Sequence, residues 1–277
     1  MVSSWALTVY LTDEVLQCEV WPGMVDTHCH LDLEPLASCH AEVVSEALRN
    51  GVSEIIVPGV HPDGWETMAA LADRYSGVHA AFGVHPMHAD LVDDDCLARL
   101  ETMARNAVAV GEVGLDPVYQ VSLATQEYAF RRQIGLALKL KLPLLVHCRR
   151  AFQRTLHVLR DERAHLVGGV MHAYSGSPEM AREFIRLGFA ISVSGMATRQ
   201  TAHRLRRIVQ VIPLEHLVVE TDAPDLAPER FLGMPNRPGY LGEVLQVVAS
   251  VKGISLLEAA MGIRFTTGAI IPALSQS

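Results

Sequence analysis

The stretch Val25-Asp26-Thr27-His28-Cys29-His30-Leu31-Asp32 carries two histidines two positions apart. Residues i and i+2 of an extended strand share a face, so His28 and His30 can reach one point while Cys29 turns away. Two imidazoles on a stiff backbone make half of a divalent-metal site, each offering a neutral nitrogen lone pair. In a chain with 13 His, one such pair proves little by itself. Further ligand-type residues, however, recur where apolar runs end. They are His85 in Gly-Val-His-Pro, Glu112 and Asp116 in Gly-Glu-Val-Gly-Leu-Asp and His147 in Val-His-Cys-Arg. His172 in His-Ala-Tyr-Ser-Gly and Glu220 and Asp222 in Glu-Thr-Asp-Ala-Pro complete the series. Independent core histidines would not keep that phase, so the set implies a metal centre.

Counting ligands implies two ions. The four histidines His28, His30, His147 and His172, with Glu112 and Asp222, exceed what one catalytic zinc takes from protein. Such a zinc uses three protein ligands and leaves a place for water. Glu112, central in the order, is the natural bridge. One ion would take His28, His30 and Asp222, the other His147 and His172. Ions ~3.5–4 Å apart can share a hydroxide made by lowering the pKa of bound water toward ~7. Asp222 is the expected general base toward that water. Mixed imidazole and carboxylate ligands suit Zn²⁺, Mn²⁺, Co²⁺ or Fe²⁺, whereas Mg²⁺ is an unusual partner for four imidazoles.

The elements that must position these residues alternate. Short β-branched runs at 24–27, 54–58, 78–84, 107–111, 144–146, 169–171, 189–193 and 217–220 read as strands. Helical periodicity follows over about 40–50, 65–74, 97–105, 125–140, 152–159, 177–188 and 201–211, with closing helices at 240–250 and 254–263. Eight strand–helix units make an α/β chain with a parallel sheet, and eight closes a (β/α)₈ TIM barrel. The strands' C-terminal ends then converge on one pocket, where each motif falls. An open doubly wound sheet is the competing reading. It usually shows a Gly-rich phosphate turn after its first strand, where this chain has His-Cys-His.

Composition sets the bounds. The 277 residues suit one barrel, and 49% hydrophobic with 19% charged residues is a core-forming mixture. The formal net charge of −8 excludes a global positive field, so a polyanionic substrate must be drawn by cations or a few Arg. Five Cys without a Cys-x-x-Cys spacing read as reduced thiols of a cytoplasmic protein. No apolar run reaches the ~18 residues of a membrane span. Residues 1–23 read as an N-terminal extension before a single domain over 24–277. They make a poor signal peptide, because Asp13 and Glu14 interrupt the apolar stretch and no basic start precedes it. Met24 is the expected natural start, which the mass of the native N-terminus would test.

Together the motifs DTHCHLD, GVHP, GEVGLD, LPLLVHCR, HAYSGS and ETDAPDLAP followed by PNRP resemble the TatD family of metal-dependent hydrolases, from residue 25 to about 240. The resemblance implies metal ligands at the same six residues that spacing reached. It also implies phosphodiester cleavage of the deoxyribonuclease or 3′-exonuclease kind. The chain departs from the pattern at Pro117, where DNase-type members carry an aromatic, and at Arg150, where they carry an acidic residue. It also has no late Asn-anchored helix at Phe265-Thr-Thr-Gly-Ala-Ile-Ile.

Arg149, Arg150 and Arg237 are the expected holders of an anionic substrate, since guanidinium donors pair with phosphate oxygens. His85 is expected to donate to substrate. Cys29 and Cys148 should be packing residues, and His61 and His88 should bind no metal. Stacking aromatics near the motifs are few (Tyr119, Tyr174, Phe231, Tyr240), which fits weak base preference. The expected partner is a phosphoester such as a single-stranded DNA end, with no membrane and no obligate protein partner. Two rivals use the same residues: hydrolysis of a carboxylic ester or amide, and metal-dependent binding without turnover.

Overall fold

Every strand of this chain must bury two faces, and the residues divide accordingly. The computed structural model describes residues 23–275. The extension expected over 1–23 therefore lies, apart from Gly23, outside the described residues. The strands are β1 (Met24–Asp26), β2 (Val52–Pro58), β3 (Val78–Phe82), β4 (Ala109–Leu115), β5 (Leu144–Cys148), β6 (Gly169–Met171), β7 (Phe189–Val193) and β8 (Leu217–Val219). They pair in parallel in chain order. One residue from each strand forms an inner cluster: Val25, Ile56, Ala81, Ala109, Leu145, Val170, Ala190 and Val218. Their neighbours in sequence, such as Val57, Val110, Val146 and Ile191, join an outer cluster instead. Such alternation requires a sheet curled around its own core. The ring closes where Thr27 N–H donates to Val219 O, 3.2 Å, and where Cys29 and Ala223 form a short parallel bridge.

The helices cover the outside. They are α1 (His40–Arg49), α2 (Trp65–Arg74), α3 (Asp94–Ala104), α4 (Leu123–Leu140), α5 (Phe152–Asp161), α6 (Pro178–Arg186), α7 (His203–Val211), α8 (Leu241–Lys252) and α9 (Leu256–Ile270). The expected TIM barrel is the fold. Among the described residues no single helix is long and apolar enough to cross a membrane.

Boundaries differ from expectation where capping or pairing decides them. Helix α3 begins at Asp94 rather than 97 because the Asp93 carboxylate accepts from Cys96 N–H, 2.8 Å, and Asp94 and Asp95 sit on its positive end. Helix α9 runs to Ile270, opened by a Ser255–Glu258 capping box. The stretch from Phe265, read as lacking the Asn-anchored helix, is thus helical to Ile270 without an Asn in it. Strand β4 was expected over 107–111 and instead runs to Leu115. A bulge makes this possible: Gly111 pairs with Leu145 and Val113 with Val146, leaving Glu112 between them. A bulge re-aims the extra residue, and here that residue is a predicted bridging ligand.

Candidate metal centre

Glu112 is held at that bulge by main-chain bonds. Its N–H donates to Gly59 O, 3.0 Å, and Gly59 N–H donates to Gly111 O, 2.9 Å. This approach needs the glycine at 83, where a Cβ would stand 2.7 Å from Gly111 C. Three further ligand-type or flanking residues depend on unusual backbone. Arg150, Ala173 and Asp222 have φ of 55°, 39° and 58°, conformations that non-glycine residues seldom adopt. They stand two or three residues beyond β5, β6 and β8. Strain of this sort gathers at functional sites.

Beyond β1 the chain stays extended between its neighbours. Cys29 N–H donates to Ile56 O, 3.0 Å, and His30 N–H to Ala223 O, 2.8 Å, while Asp222 N–H donates to His28 O, 2.8 Å. Buried Asp26 fastens the same junction. Its carboxylate accepts from Thr221 N–H, 2.9 Å, and from the Thr221 hydroxyl, 2.5 Å. Burial pushes its pKa up to about 7, against those hydrogen bonds.

The six expected ligands come together, with Glu112 at their centre. Its Oε2 lies 3.2 Å from His28 Nε2 and 3.9 Å from His30 Nε2. Its Oε1 lies 2.8 Å from His147 Nδ1 and 3.6 Å from His172 Nε2. Asp222 Oδ1 stands 3.7, 3.6 and 3.7 Å from the Nε2 atoms of His28, His30 and His172. The two oxygens of Glu112 thus face two different histidine pairs.

These residues fit divalent cations. His28 is 1% exposed, yet neither of its ring nitrogens makes a hydrogen bond. An unmet buried polar atom costs about 1–3 kcal/mol, and a cation removes that cost. Donor atoms at the usual ~2.1 Å from a tetrahedral cation stand about 3.4 Å from one another. The observed separations of 3.2–3.9 Å around His28, His30 and Asp222 bracket that value and are long for proton-sharing hydrogen bonds.

The electrostatics point the same way. Burial alone would raise the Glu112 pKa, but the rings of His28, His85 and His172 and the hydrogen bond from His147 hold it well below the carboxylate range. Asp222 is also lowered, its burial outweighed by His172, His30 and His28. His172 shows the converse: burial opposes its charge, yet Glu220, Asp222 and Glu112 raise it to about 10. Ionised carboxylates at the centre draw positive charge onto His30, His147 and His172, whereas burial and the neighbouring His172 ring lower His28.

His85 is different in kind. Its Nδ1 accepts from Met87 N–H, 3.1 Å, so the neutral ring carries its proton on Nε2. That nitrogen lies 3.7 Å from Glu112 Oε1. Burial pushes the ring's pKa down to about 3, overcoming the attraction of Glu112. A ligand needs a bare lone pair, whereas His85 offers an N–H.

Two buried carboxylates stood in the recurring motifs but received no role from the sequence. Asp116 Oδ2 lies 3.1 Å from His147 Nε2, and Glu220 Oε1 lies 3.0 Å from His172 Nδ1. Both residues are fully buried. The i, i+2 relation of Glu220 to Asp222, the same as that of His28 to His30, was a signal available in the sequence.

The remaining candidates separate. Arg149 and Arg150 are exposed on the loop after β5 and make no ion pair among the described residues. Arg237 is engaged elsewhere, donating to Glu42, 3.0 Å, and Glu46, 2.8 Å, on α1. Both carboxylates pair with its Nη1, so it clamps the loop after β8 to α1. His61 and His88 meet each other, ring centroids 4.7 Å apart, away from the cluster. Cys29 and Cys148 are buried in the outer core. Tyr174 is 4% exposed among Phe152 and Phe184, and Phe231 and Tyr240 stack on each other at 3.7 Å. Only Tyr119, with its ring 5.4 Å from that of His85, adjoins the site.

A family model described as TatD related DNase matches residues 25–264. This chain belongs to that family. It is therefore a TatD-family metal-dependent hydrolase. Over 240 residues it is 35% identical to the "Uncharacterized metal-dependent hydrolase YabD" of Bacillus subtilis, covering 86% of this chain and 94% of that one. It is 36% identical over 220 residues to the "3'-5' ssDNA/RNA exonuclease TatD" of Cronobacter sakazakii, covering 76% and 84%. The crystal structure of YjjV, a TatD homologue of Escherichia coli K12, superposes with a TM-score of 0.85 at 32% identity, covering 90% of this chain and 98% of that one. The TatD fold thus applies to residues 25–264 of this chain, and the strand-end cluster lies within them.

Proposed function

We propose that this TatD-family protein is a two-metal phosphodiesterase that removes nucleotides from the 3′ end of single-stranded DNA or RNA. The observation that carries the two-ion reading is the split of Glu112, with one oxygen toward His28 and His30 and the other toward His147 and His172. His28, His30 and Asp222 would hold one cation, and His147 and His172 the other, with Glu112 shared. Bound there, the cations supply Lewis acidity, neutralising charge on the phosphoryl group and acidifying a water.

The chain's own residues do the rest. Asp222, held ionised, is placed to take a proton from the attacking water. His85 directs its Nε2–H into the site as a fixed neutral donor to a phosphoryl oxygen. Arg149 and Arg150 hold the neighbouring phosphate at the rim. Half-exposed Leu33, Val118, Leu232 and Met234, on the loops after β1, β4 and β8, offer apolar surface to bases beside that phosphate. With only two free guanidinium groups named at the rim and a net charge of −8, a chain end suits the site better than a long duplex. The name of the Cronobacter relative supports the same substrate class.

The test compares 3′-labelled with 5′-labelled single strands, beside a chromogenic phosphodiester, on metal-stripped protein with Zn²⁺, Mn²⁺ or Mg²⁺ restored. Stepwise loss of label from the 3′ end only with cation present is expected. Lactone or aminoacyl-ester turnover without any phosphodiester turnover would move the site to carboxylic esters.

A further inference from the structure

Helix α4 buries a glutamine, Gln133, among Ala129, Phe130, Ile134 and Ala137 on the face it packs inward. A polar side chain on a buried face must find partners there, and Gln133 is 1% exposed. Its partner is the main chain of Val84. Oε1 accepts from Val84 N–H, 2.7 Å, and Nε2 donates to Val84 O, 3.1 Å. The second amide hydrogen goes to Ala129 O, 3.3 Å. Val84 lies two residues past β3, beyond the stretch in which β3 pairs with β4. The side-chain amide thus supplies both hydrogen bonds that a neighbouring strand would have given.

The next residue is His85. The peptide joining Val84 to His85 is held at both ends, its carbonyl by Gln133 and its N–H by Val60 O, 3.0 Å. His85 O in turn accepts from His88 N–H, 2.9 Å. The ring is then set by Met87 N–H, which donates to Nδ1, 3.1 Å, and leaves Nε2 at 3.7 Å from Glu112 Oε1.

We propose that Gln133 is a positioning residue for the hydrogen bond from His85 to the phosphoryl group. By closing both main-chain groups of Val84, it fixes the direction in which His85 presents its Nε2–H. Among the described residues, every hydrogen bond of the Gln133 side chain goes to Val84 or Ala129, so its route to the reaction runs through His85. Misplacing a reacting group by about 1 Å can cost about 10²-fold in rate, even when the change lies away from the chemistry. The inference rests on the proposed role of His85 as donor to substrate.

The test uses the full chain, loaded with Zn²⁺, and a chromogenic phosphodiester. His85→Ala comes first, because wild-type kcat/KM in that variant would remove the parent reading and this proposal with it. With His85→Ala impaired, Gln133→Met, which keeps the bulk and loses the amide, should lower kcat/KM about 10- to 100-fold. The double variant should lose no more than His85→Ala alone, since both substitutions break one arrangement. Losses that multiply would overturn the proposal while leaving the role of His85 intact. Two further readouts do not depend on turnover. Zn²⁺ affinity of Gln133→Met should match the wild type by calorimetry, and the ¹⁵N signals of the His85 ring in metal-free protein should leave their wild-type positions. Weakened Zn²⁺ binding would place the effect on the cation ligands and refute the route through His85. A variant that melts earlier with His85 signals and kcat/KM unchanged would assign Gln133 to stability alone, which also refutes it. Should Gln133→Met fail to fold, Gln133→Glu is the second variant. Its carboxylate still accepts from Val84 N–H but gives nothing to Val84 O, and wild-type kcat/KM there would overturn the proposal.

Discussion

The barrel has a histidine–carboxylate contact at each end, and the two ends differ in what is left over. At the bottom, where the strands begin, His79 Nε2 lies 2.5 Å from Glu54 Oε2, and Glu54 Oε1 is 4.0 Å from Arg264 on α9. Among the described residues, no third His, Cys, Asp or Glu ligand atom gathers with that pair. At the mouth, five imidazoles crowd two carboxylates, and both nitrogens of His28 are unmatched. A His–Glu contact alone is a structural ion pair. An excess of buried, unmatched lone pairs around shared carboxylates is what marks a cation site.

That contrast breaks most visibly at Asp222. Asp222→Ala should reduce turnover by about 10³-fold or more while the circular dichroism spectrum persists, since it removes both a ligand and the base. Retained turnover would remove Asp222 from the mechanism. The mouth should also respond to pH in a definite direction. Protons drawn onto His172, whose pKa is raised to about 10, must leave before a cation can bind, so cation affinity should rise with pH. Each displaced proton makes the change about tenfold per pH unit, readable by calorimetry. Flat affinity between pH 6 and 8 would contradict the charge reading.

The next two effects sharpen the contrast. Arg149→Ala should raise KM for single strands about tenfold with kcat little changed, because a rim charge contributes to binding more than to chemistry. His79→Ala should leave kcat and KM alone and lower stability by about 1 kcal/mol, the usual net contribution of one hydrogen bond. A urea melt beside a turnover assay separates these outcomes. Smallest of all, Arg237→Ala should cost about 1 kcal/mol or less of stability and leave KM unchanged, its ion pairs with Glu42 and Glu46 being partly exposed. A raised KM would return Arg237 to the substrate.

Sequence alone showed the barrel and the six-residue cluster, because strand alternation and recurring strand-end motifs are local signals. It placed Glu112 beyond its strand, since a bulge depends on the pairing of β4 with β5 and leaves no mark in composition. Asp116 and Glu220 were within the quoted motifs, but their tasks depend on which nitrogen of a distant ring they face. Arg237 looked free because Glu42 and Glu46 lie nearly two hundred residues away in sequence and meet it only on the closed barrel. Tyr174, Phe231 and Tyr240 looked available for stacking because the turns that bring each against a ring about ten residues away leave no mark in the residue pattern.

The most direct test titrates metal-free protein with Mn²⁺ or Zn²⁺ while recording cleavage of a 3′-labelled single strand. Two equivalents bound per chain, with turnover rising as the second site fills, is the predicted result. Saturation at one equivalent with full turnover, or no binding at all, would contradict a centre organised around a shared Glu112.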